Sequence, residues 1–132
     1  MSGETDLAKL IGTMRPALNQ GEFVFCIFET LQSALAYDPI FTFQEKEAVT
    51  AILKKEAADT GKIPYKSTFA WITLTVHSTL EAVGLTAAFS KALTDEGISC
   101  NVVAGYYHDH IFVPVKDSMR AMQALEQLAN SK

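Results

Sequence analysis

Hydrophobic and polar residues alternate strictly over Trp71–His77, in the second half of the chain. Three aliphatic side chains fall on one side of this segment, whereas Thr73, Thr75 and His77 fall on the other. A period of two is typical of a β-strand that has one face in the core and one face in polar surroundings. The pattern therefore predicts a strand in this segment.

A helix is predicted directly after this strand. Ser78 and Glu81 have the S-x-x-E spacing of a capping box, which marks the start of a helix. Apolar residues then recur at helical intervals from Leu80 to about Asp95, and Gly97 supplies the expected stop. In this interpretation Gly84 lies inside the helix.

Two further strands, Ile98–Tyr107 and Ile111–Val115, are predicted to form a hairpin through His108–His110, because a very short connection joins antiparallel neighbours. Asp117 or Ser118 then caps a last helix. The inner face of that helix is predicted to carry Met119, Met122, Leu125 and Leu128. The order strand–helix–strand–strand–helix is that of a ferredoxin-like α+β fold without its final strand. Since exposed sheet edges are normally covered or paired, we expect another part of the chain to complete the sheet.

The first half of the chain has a less regular pattern. Apolar residues at helical spacing predict a short helix over Thr5–Met14, which Pro16 ends. The segment Glu22–Glu29 is apolar on both faces, which indicates a strand that is covered on both sides. Residues Leu31–Tyr37 fit either a turn of helix or a loop, and Ile40–Phe43 fits a short strand.

A longer helix is predicted over Glu45–Ala58. Its apolar residues form one stripe at helical spacing, acidic residues stand at its start, and lysines near its end suit the helix dipole. Gly61 and Pro64 mark its end. Together these elements predict an α+β, ferredoxin-like sandwich of two tandem units, each with an antiparallel sheet and helices on one face. The predicted units are residues 1–66 and residues 67–132, with elements of one completing the other.

Composition narrows the possible function classes. The 132 residues are 48% hydrophobic and 20% charged, and a net charge of −4 makes nucleic acid and anionic membrane surfaces poor partners. No apolar run approaches the ~20 residues of a membrane span, and no signal-peptide pattern is present. Cys26 and Cys100 lie in apolar runs, where we expect buried, reduced thiols. These features predict a cytoplasmic protein, and the absence of phosphate- and dinucleotide-binding motifs predicts no cofactor.

Two segments, Ile72–Ser90 and Leu93–Ala104, together resemble an ACT domain. The shared features are a strand, a short loop, a Gly-Leu-Thr triplet early in the helix, a helix end of the form L-x-x-E/A-G-I, and a second strand. Tyr106–Val115 resembles the following hairpin of that fold. The match covers about half the chain, from Phe69 onward, and the whole chain is similar to a bacterial family of unassigned function with two ACT-like units in tandem.

This resemblance implies a regulatory protein, not an enzyme, that forms a homodimer or a higher homo-oligomer. It also implies a small-molecule effector, usually an amino acid, at an interface between units. The effector would contact the loop after the first strand, the start of the following helix, and the second strand of an adjoining unit. Transferred to matching positions of this chain, the ligand-binding residues are His77, Ser78, Thr79, Leu80, Gly84, Leu85, Asn101 and Val102.

The residue types support these positions but leave alternatives open. The free amides at a helix start suit a carboxylate, and Gly84 removes a side chain where a ligand backbone could approach. Ser78 could instead act only as a helix cap, and Gly84 could serve only close helix–sheet packing. Asn101 fits either a ligand contact or an ordinary polar residue at the start of a strand.

The histidines suggest a second interpretation. The predicted topology brings His77, His108 and His110 towards one edge of the sheet, and three neutral imidazoles are a common ligand set for catalytic zinc. A metal-dependent enzyme is therefore an alternative function, although no carboxylate beyond Asp109 is placed to act as a base. A structural partner module that has lost its ligand pocket is the third.

Overall fold

The computed structural model describes residues 6–76 and 83–131. Within these residues the elements are, in chain order, α1 (Leu7–Thr13), β1 (Arg15–Leu18), β2 (Phe23–Phe28), α2 (Leu31–Leu35), β3 (Phe41–Gln44), β4 (Val49–Lys54), α3 (Lys55–Gly61), β5 (Phe69–Thr75), α4 (Leu85–Asp95), β6 (Asn101–Ala104), β7 (Asp109–Pro114) and α5 (Ser118–Asn130). A short 3-10 turn precedes α5.

The chain forms two compact units, which do not follow chain order. One unit is Gly21–Phe69, and the other combines Met1–Gln20 with Ala70–Lys132. The division falls within β5, between its first and second residues. The linear boundary between residues 66 and 67 remains a prediction, because packing groups the chain by contact and not by position along the sequence.

The unit Gly21–Phe69 contains an antiparallel sheet with strand order β3-β4-β2. Phe23, the first residue of β2, also pairs with Phe69. Helices α2 and α3 cover one face of the sheet, and their small residues Ala34 and Ala58 allow close approach to the strands. The buried core between sheet and helices consists of Val24, Cys26, Ala34, Val49, Ala51, Leu53 and Ala58.

In the second unit, β1 occupies the sheet position beside β5 that the final strand takes in a ferredoxin-like fold. It pairs antiparallel with β5, with Arg15 opposite Thr75 and Leu18 opposite Ile72. Beyond β5, the sheet continues through β7 to β6. The expectation that another part of the chain completes this sheet is therefore confirmed. Since an edge strand leaves backbone groups unpaired, pairing with β1 stabilises β5.

Helices α1, α4 and α5 cover one face of this second sheet. The largest buried side chains between them and the sheet are Leu10, Met14, Ile72, Leu74, Phe89, Leu93, Ile111 and Leu125. The alternation predicted for β5 is confirmed, because Ile72, Leu74 and Val76 are all buried in this core. Both units thus have the predicted α+β, ferredoxin-like arrangement of an antiparallel sheet with helices on one face.

The helix predicted over Glu45–Ala58 is wrong. Most of that segment forms strand β4, and helix α3 begins only at Lys55. In β4, three side chains face the helices, whereas Ile52 lies fully buried on the opposite face. A short run that is apolar on both faces also satisfies a helical stripe, so its periodicity does not distinguish the two structures. The β-branched residues of this segment favour the strand.

The β6–β7 connection also differs from the prediction. The turn contains Tyr106 and Tyr107, and Gly105 donates its backbone N–H to the carbonyl of His108 at 2.9 Å to close it. His110 is therefore a strand residue and not part of the connection. The two tyrosine rings are 79% and 78% exposed and meet edge to face, with centroids 5.2 Å apart.

The predicted inner face of the last helix is wrong at Met119, whose side chain is 66% exposed. Leu125 is buried as predicted, and Met122 and Leu128 pack partly buried against the core. Small residues between these positions complete the buried face: Ala121, Ala124 and Ala129. Alanine spacing therefore sets how closely α5 approaches the sheet.

Candidate functional site

Helix α4 begins later than the capping-box pattern predicts. Its N-cap is Gly84, whose φ of 97° and ψ of −14° lie in the left-handed region. A residue in that region cannot continue a right-handed helix, so a continuous helix from Leu80 through Gly84 is wrong. The predicted end at Asp95 is confirmed. Four predicted ligand-binding residues lie outside the described residues: His77, Ser78, Thr79 and Leu80.

The side chain of Leu7 packs against Gly84. A Cβ atom at Gly84 would lie 3.0 Å from Cδ2 of Leu7, which is closer than ordinary van der Waals contact. The side chain of Leu85 is also turned inward, because it is buried in the core. At this corner, Gly84 and Leu85 can therefore meet a ligand through their backbone atoms.

Within the described residues, the first turn of α4 has no side-chain cap hydrogen bond, and its backbone amides suit an anion. Gly84 offers no capping side chain, and the first turn contains no acidic residue. The first bond of the helix joins the N–H of Ala88 to the carbonyl of Gly84 at 2.9 Å. The amides of Leu85, Thr86 and Ala87 precede that bond, and the side chains of Thr86 and Ala87 are exposed. These amides lie at the positive end of the helix dipole, which favours a carboxylate.

The other helices of the described ranges differ from α4 in this respect. The side chain of Asp6 accepts from the backbone N–H of Lys9 at the start of α1, and Thr30 caps α2 in the same way. Helix α3 has Glu56 in its first turn, and α5 has Asp117 as its N-cap. Among the described helices, α4 is therefore the one that has neither a side-chain cap hydrogen bond nor an acidic residue at its N-cap or in its first turn.

Asn101 and Val102 begin β6 and point to opposite faces of the sheet. Val102 lies opposite Ile111, which is a core residue under the helices, whereas Asn101 lies opposite Phe112. The side-chain amide of Asn101 donates to the carbonyl of Phe112 at 3.1 Å. Its side-chain oxygen faces away from the helix-covered side of the sheet and is an acceptor for an ammonium group.

The structure does not bring Gly84 and Asn101 together within one copy of the chain. Gly84 precedes α4 and Asn101 follows it, and a helix of this length rises about 16 Å. One amino acid is too small to span that distance. The two groups of predicted residues can contact one ligand only if they come from different copies.

His110 is held in a hydrogen-bonded cluster on the face of the sheet opposite the helices. Its Nδ1 accepts from Nε1 of Trp71 at 3.0 Å and lies 3.3 Å from the hydroxyl oxygen of Thr73. The side-chain amide of Asn19 donates to the same Thr73 oxygen at 2.9 Å and to the carbonyl of Trp71 at 3.2 Å. Burial, together with the positive charge of nearby His108, lowers the pKa of His110.

This hydrogen bonding constrains metal binding by His110: while Nδ1 accepts from Trp71, Nε2 of the neutral ring carries the hydrogen and has no lone pair for a metal. Nδ1 of His110 is already bonded, Nδ1 of His108 is buried without a hydrogen-bond partner, and His77 lies outside the described residues. Within residues 6–76 and 83–131, no group of three or more His, Cys, Asp or Glu side chains could hold a metal ion. The geometry of the described histidines thus offers no support for the metal-dependent enzyme.

The two cysteines are free thiols in apolar surroundings. Burial raises the pKa of Cys100 to about 11, and burial also raises the pKa of Cys26. Since the thiolate is the reactive form, both thiols are poor nucleophiles at neutral pH.

Sequence reasoning missed the part played by Asn19 and by the first-turn residues of α4. Asn19 belongs to a predicted turn, and no sequence signal links it to Thr73, 54 positions later. Thr86 and Ala87 were not recognised as first-turn residues, because the capping-box pattern places the start of the helix at Leu80. The positive-φ tendency of glycine, applied to Gly84, is the signal that could have moved the helix start. In the described part of the chain, no helix has the length and apolar character needed to cross a membrane.

Comparisons with known proteins agree with this architecture. Two family models match, both described as an ACT domain: one over residues 2–70 and the other over residues 66–127. No curated protein matches the chain. A solved protein of unknown function from Vibrio cholerae, a possible transport protein, is 48% identical with a TM-score of 0.87, over 93% of this chain and 95% of that one.

More distant solved structures share the fold alone. The regulatory subunit of aspartate kinase from Thermus thermophilus has a TM-score of 0.63 at 14% identity, over 89% of this chain and 97% of that one. Aspartate kinase from Clostridium acetobutylicum has a TM-score of 0.64 at 11% identity, over 90% of this chain but 34% of its own length. With two matching ACT models in tandem, this chain belongs to the ACT domain family.

Proposed function

We propose that this protein is a regulatory protein without catalytic activity that binds an amino acid, or a similar zwitterion, at the start of α4. The observation that carries the proposal is the helix N-terminus at Gly84, where, among residues 6–76 and 83–131, the amides of Leu85, Thr86 and Ala87 meet neither a capping side chain nor a first-turn acid. Membership of the ACT family supports a regulatory role, as does the shared fold of the aspartate kinase regulatory subunits.

In this proposal each end of the ligand has a partner of suitable chemistry. The carboxylate accepts hydrogen bonds from the first-turn amides, and the ammonium group donates to the side-chain oxygen of Asn101 in a second copy. Because Gly84 and Asn101 lie at opposite ends of α4, the site requires a homo-oligomer. A ligand that binds one arrangement of the copies more tightly would shift the assembly towards that arrangement. We retain the cytoplasm as the expected compartment.

A thermal-shift screen against the twenty amino acids tests the proposal. A ligand that binds only the folded protein raises its melting temperature, so one or a few amino acids should give a reproducible increase. A flat response to all twenty would contradict amino-acid binding and would favour a structural module.

Substitutions at Ala87 test the placement of the site. Ala87→Glu adds a carboxylate at the exposed third position of α4, which stabilises the helix through its dipole but repels a bound carboxylate. We expect this variant to unfold at a higher temperature and to bind the amino acid at least ~10-fold more weakly. Ala87→Gln has nearly the same shape without the charge and should retain most of the affinity. Equal affinity in both variants would show that the ligand binds elsewhere.

A further inference from the structure

We infer that the unit Gly21–Phe69 associates with a second copy of this chain through the face of its sheet opposite α2 and α3. We call this surface the aromatic face and define it by Phe25, Ile27, Phe41, Phe43, Ile52 and Lys54. Strand pairing places these residues on one side, because Ile52 lies opposite both Phe25 and Phe41, and Phe23 lies opposite Lys54. The residues that alternate with them form the core under the helices.

Two large apolar side chains of the aromatic face are exposed in the intact chain, whereas Phe25 and Phe41 are half-buried and Phe25 meets Phe69 edge to face. Ile27 is 72% exposed and Phe43 is 60% exposed, and they flank the same strand position, Thr50. The rings of Phe41 and Phe43 lie 6.3 Å apart, and Ile52 is fully buried at the centre. An antiparallel sheet face that meets water normally carries polar residues, so a contiguous apolar face indicates an interaction surface.

Charges at the two ends of the aromatic face indicate what covers it. Lys54 is exposed at one end of β4. At the other end of β4, the carboxylate of Glu45 accepts a hydrogen bond from the hydroxyl of Thr50, which holds it beside the face. The surface therefore has a positive end, an apolar centre and a negative end along the strand direction.

This pattern is complementary to itself when one copy is reversed. A two-fold axis between two stacked sheets, perpendicular to the strands, superposes the apolar centres and reverses the strand direction. Lys54 of each copy then lies over Glu45 of the other, so the charge pair forms twice. Self-complementarity of one patch is what a two-fold interface requires, and aligned sheet stacking is a common way to bury such faces.

The inference deepens the homo-oligomeric part of the proposed function, because it assigns a surface to self-association. It is separable from ligand binding, since none of the aromatic-face residues belongs to the corner at Gly84. Mass measured without any amino acid tests the interface alone. Failure of the thermal-shift screen would leave this surface standing, and a monomeric protein that binds an amino acid would overturn this surface but not amino-acid binding.

The experiment measures the mass of the full chain by sedimentation equilibrium without added ligand. One chain has a mass of 14.4 kDa. At ~100 µM the wild-type protein should have twice that mass. Ile27→Thr/Phe43→Thr, which places β-branched threonine at both strand positions, should raise the dimer dissociation constant at least ~10-fold. The control, Tyr106→Thr/Tyr107→Thr, removes two large exposed side chains from another part of the surface and should leave the mass unchanged.

Charge exchange tests the reversed arrangement. Lys54→Glu and Glu45→Lys should each weaken the dimer, because each places like charges opposite one another. The double variant Lys54→Glu/Glu45→Lys should recover the dimer. A wild-type monomer, a dimer that is unaffected by the threonine substitutions, or a double variant weaker than both single variants would overturn the inference. Circular dichroism confirms that each variant is folded before its mass is interpreted.

Discussion

The indole Nε1 of Trp71 donates a hydrogen bond to Nδ1 of His110 at 3.0 Å. This bond requires an unprotonated Nδ1, so the neutral ring carries its hydrogen on Nε2. The hydroxyl of Thr73, 3.3 Å from the same nitrogen, adds a second polar neighbour. Charging His110 would place a proton between Nδ1 and the indole N–H, which can only donate.

We expect mild acid to break this contact and to destabilise the fold. Burial lowers the pKa of His110 below its ordinary 6.5, so the unfolded chain binds a proton at this position before the folded chain does. The stability that neutral His110 contributes to the fold is therefore complete above pH 6.5, and it is lost as the pH falls through the lowered pKa of His110. Trp71 is the only tryptophan, so its fluorescence reports the change directly.

His110→Asn is the control for this titration, because its side-chain oxygen can accept from Trp71 but does not titrate. Its fluorescence should stay constant over the range in which the wild type changes. Burial raises the pKa of the neighbouring Asp109 above 3.8, which acts with the opposite sign: stability increases as the pH falls through that raised value. An identical fluorescence profile in both proteins would assign the change to a group other than His110.

Gly84→Ala should destabilise the protein by about 1–2 kcal/mol, because alanine disfavours a positive φ. The contact with Leu7 adds to this cost. Gly97 also has a positive φ, 72°, but a Cβ atom there would meet nothing within 4 Å. Gly97→Ala therefore measures the backbone cost alone. In urea unfolding, it should lower the free energy of unfolding by less than Gly84→Ala does.

Leu7→Ala tests the steric part of the Gly84 effect. In a double-mutant cycle, Gly84→Ala should cost less in the Leu7→Ala background, by at least ~0.5 kcal/mol. Strictly additive losses would mean that the 3.0 Å approach between these residues contributes nothing to the effect.

The effect of Gly61→Ala on the free energy of unfolding should change sign when the residue at position 37 is changed. A Cβ atom at Gly61 would lie 2.4 Å from Cε1 of Tyr37, so alanine should cost ~1–3 kcal/mol through overpacking. In a Tyr37→Ala background the clash is absent, and alanine in a helix is favoured over glycine by ~1 kcal/mol. Urea midpoints for the four proteins measure both values. A loss in both backgrounds would refute the steric explanation.

Cys100→Ala should make the protein less sensitive to alkali. Burial raises the pKa of Cys100 from 9.0 to about 11, so the unfolded chain loses this proton first. The wild type should therefore lose stability as the pH rises from 9 towards 11. Comparison of each protein with itself at pH 7 removes the packing effect of the substitution. Parallel losses in the two proteins would exclude this thiol as the cause.

The residues of β5 show what the local hydrophobic pattern can predict. Alternation alone predicted which of its side chains are buried, because a strand with one covered face has a period that only strands share. The segment of β4 shows the limit, since both of its faces are covered and its apolar run fits helix and strand equally well. Backbone pairing with β2 and β3, two earlier segments of the chain, makes this segment a strand.

The helix that carries the candidate site was predicted, but its first turn was placed wrongly. Helical periodicity, with Gly97 as the stop, predicted the helix and its end at Asp95, but the capping-box spacing at Ser78 and Glu81 gave too early a start. The left-handed conformation of Gly84 fixes the first turn. That conformation accompanies packing against Leu7, a contact between residues that no local pattern connects.

The sequence by itself determined the α+β composition, the strand β5, the end of α4 and the ACT resemblance, because each depends on residues that are close together in the chain. Only the tertiary structure decided that β1 completes the sheet beside β5, that β4 is a strand, and that His110 joins Trp71. Each of these depends on pairing between distant segments. Its free energy comes from contacts and hydrogen bonds that exist only once the chain has folded.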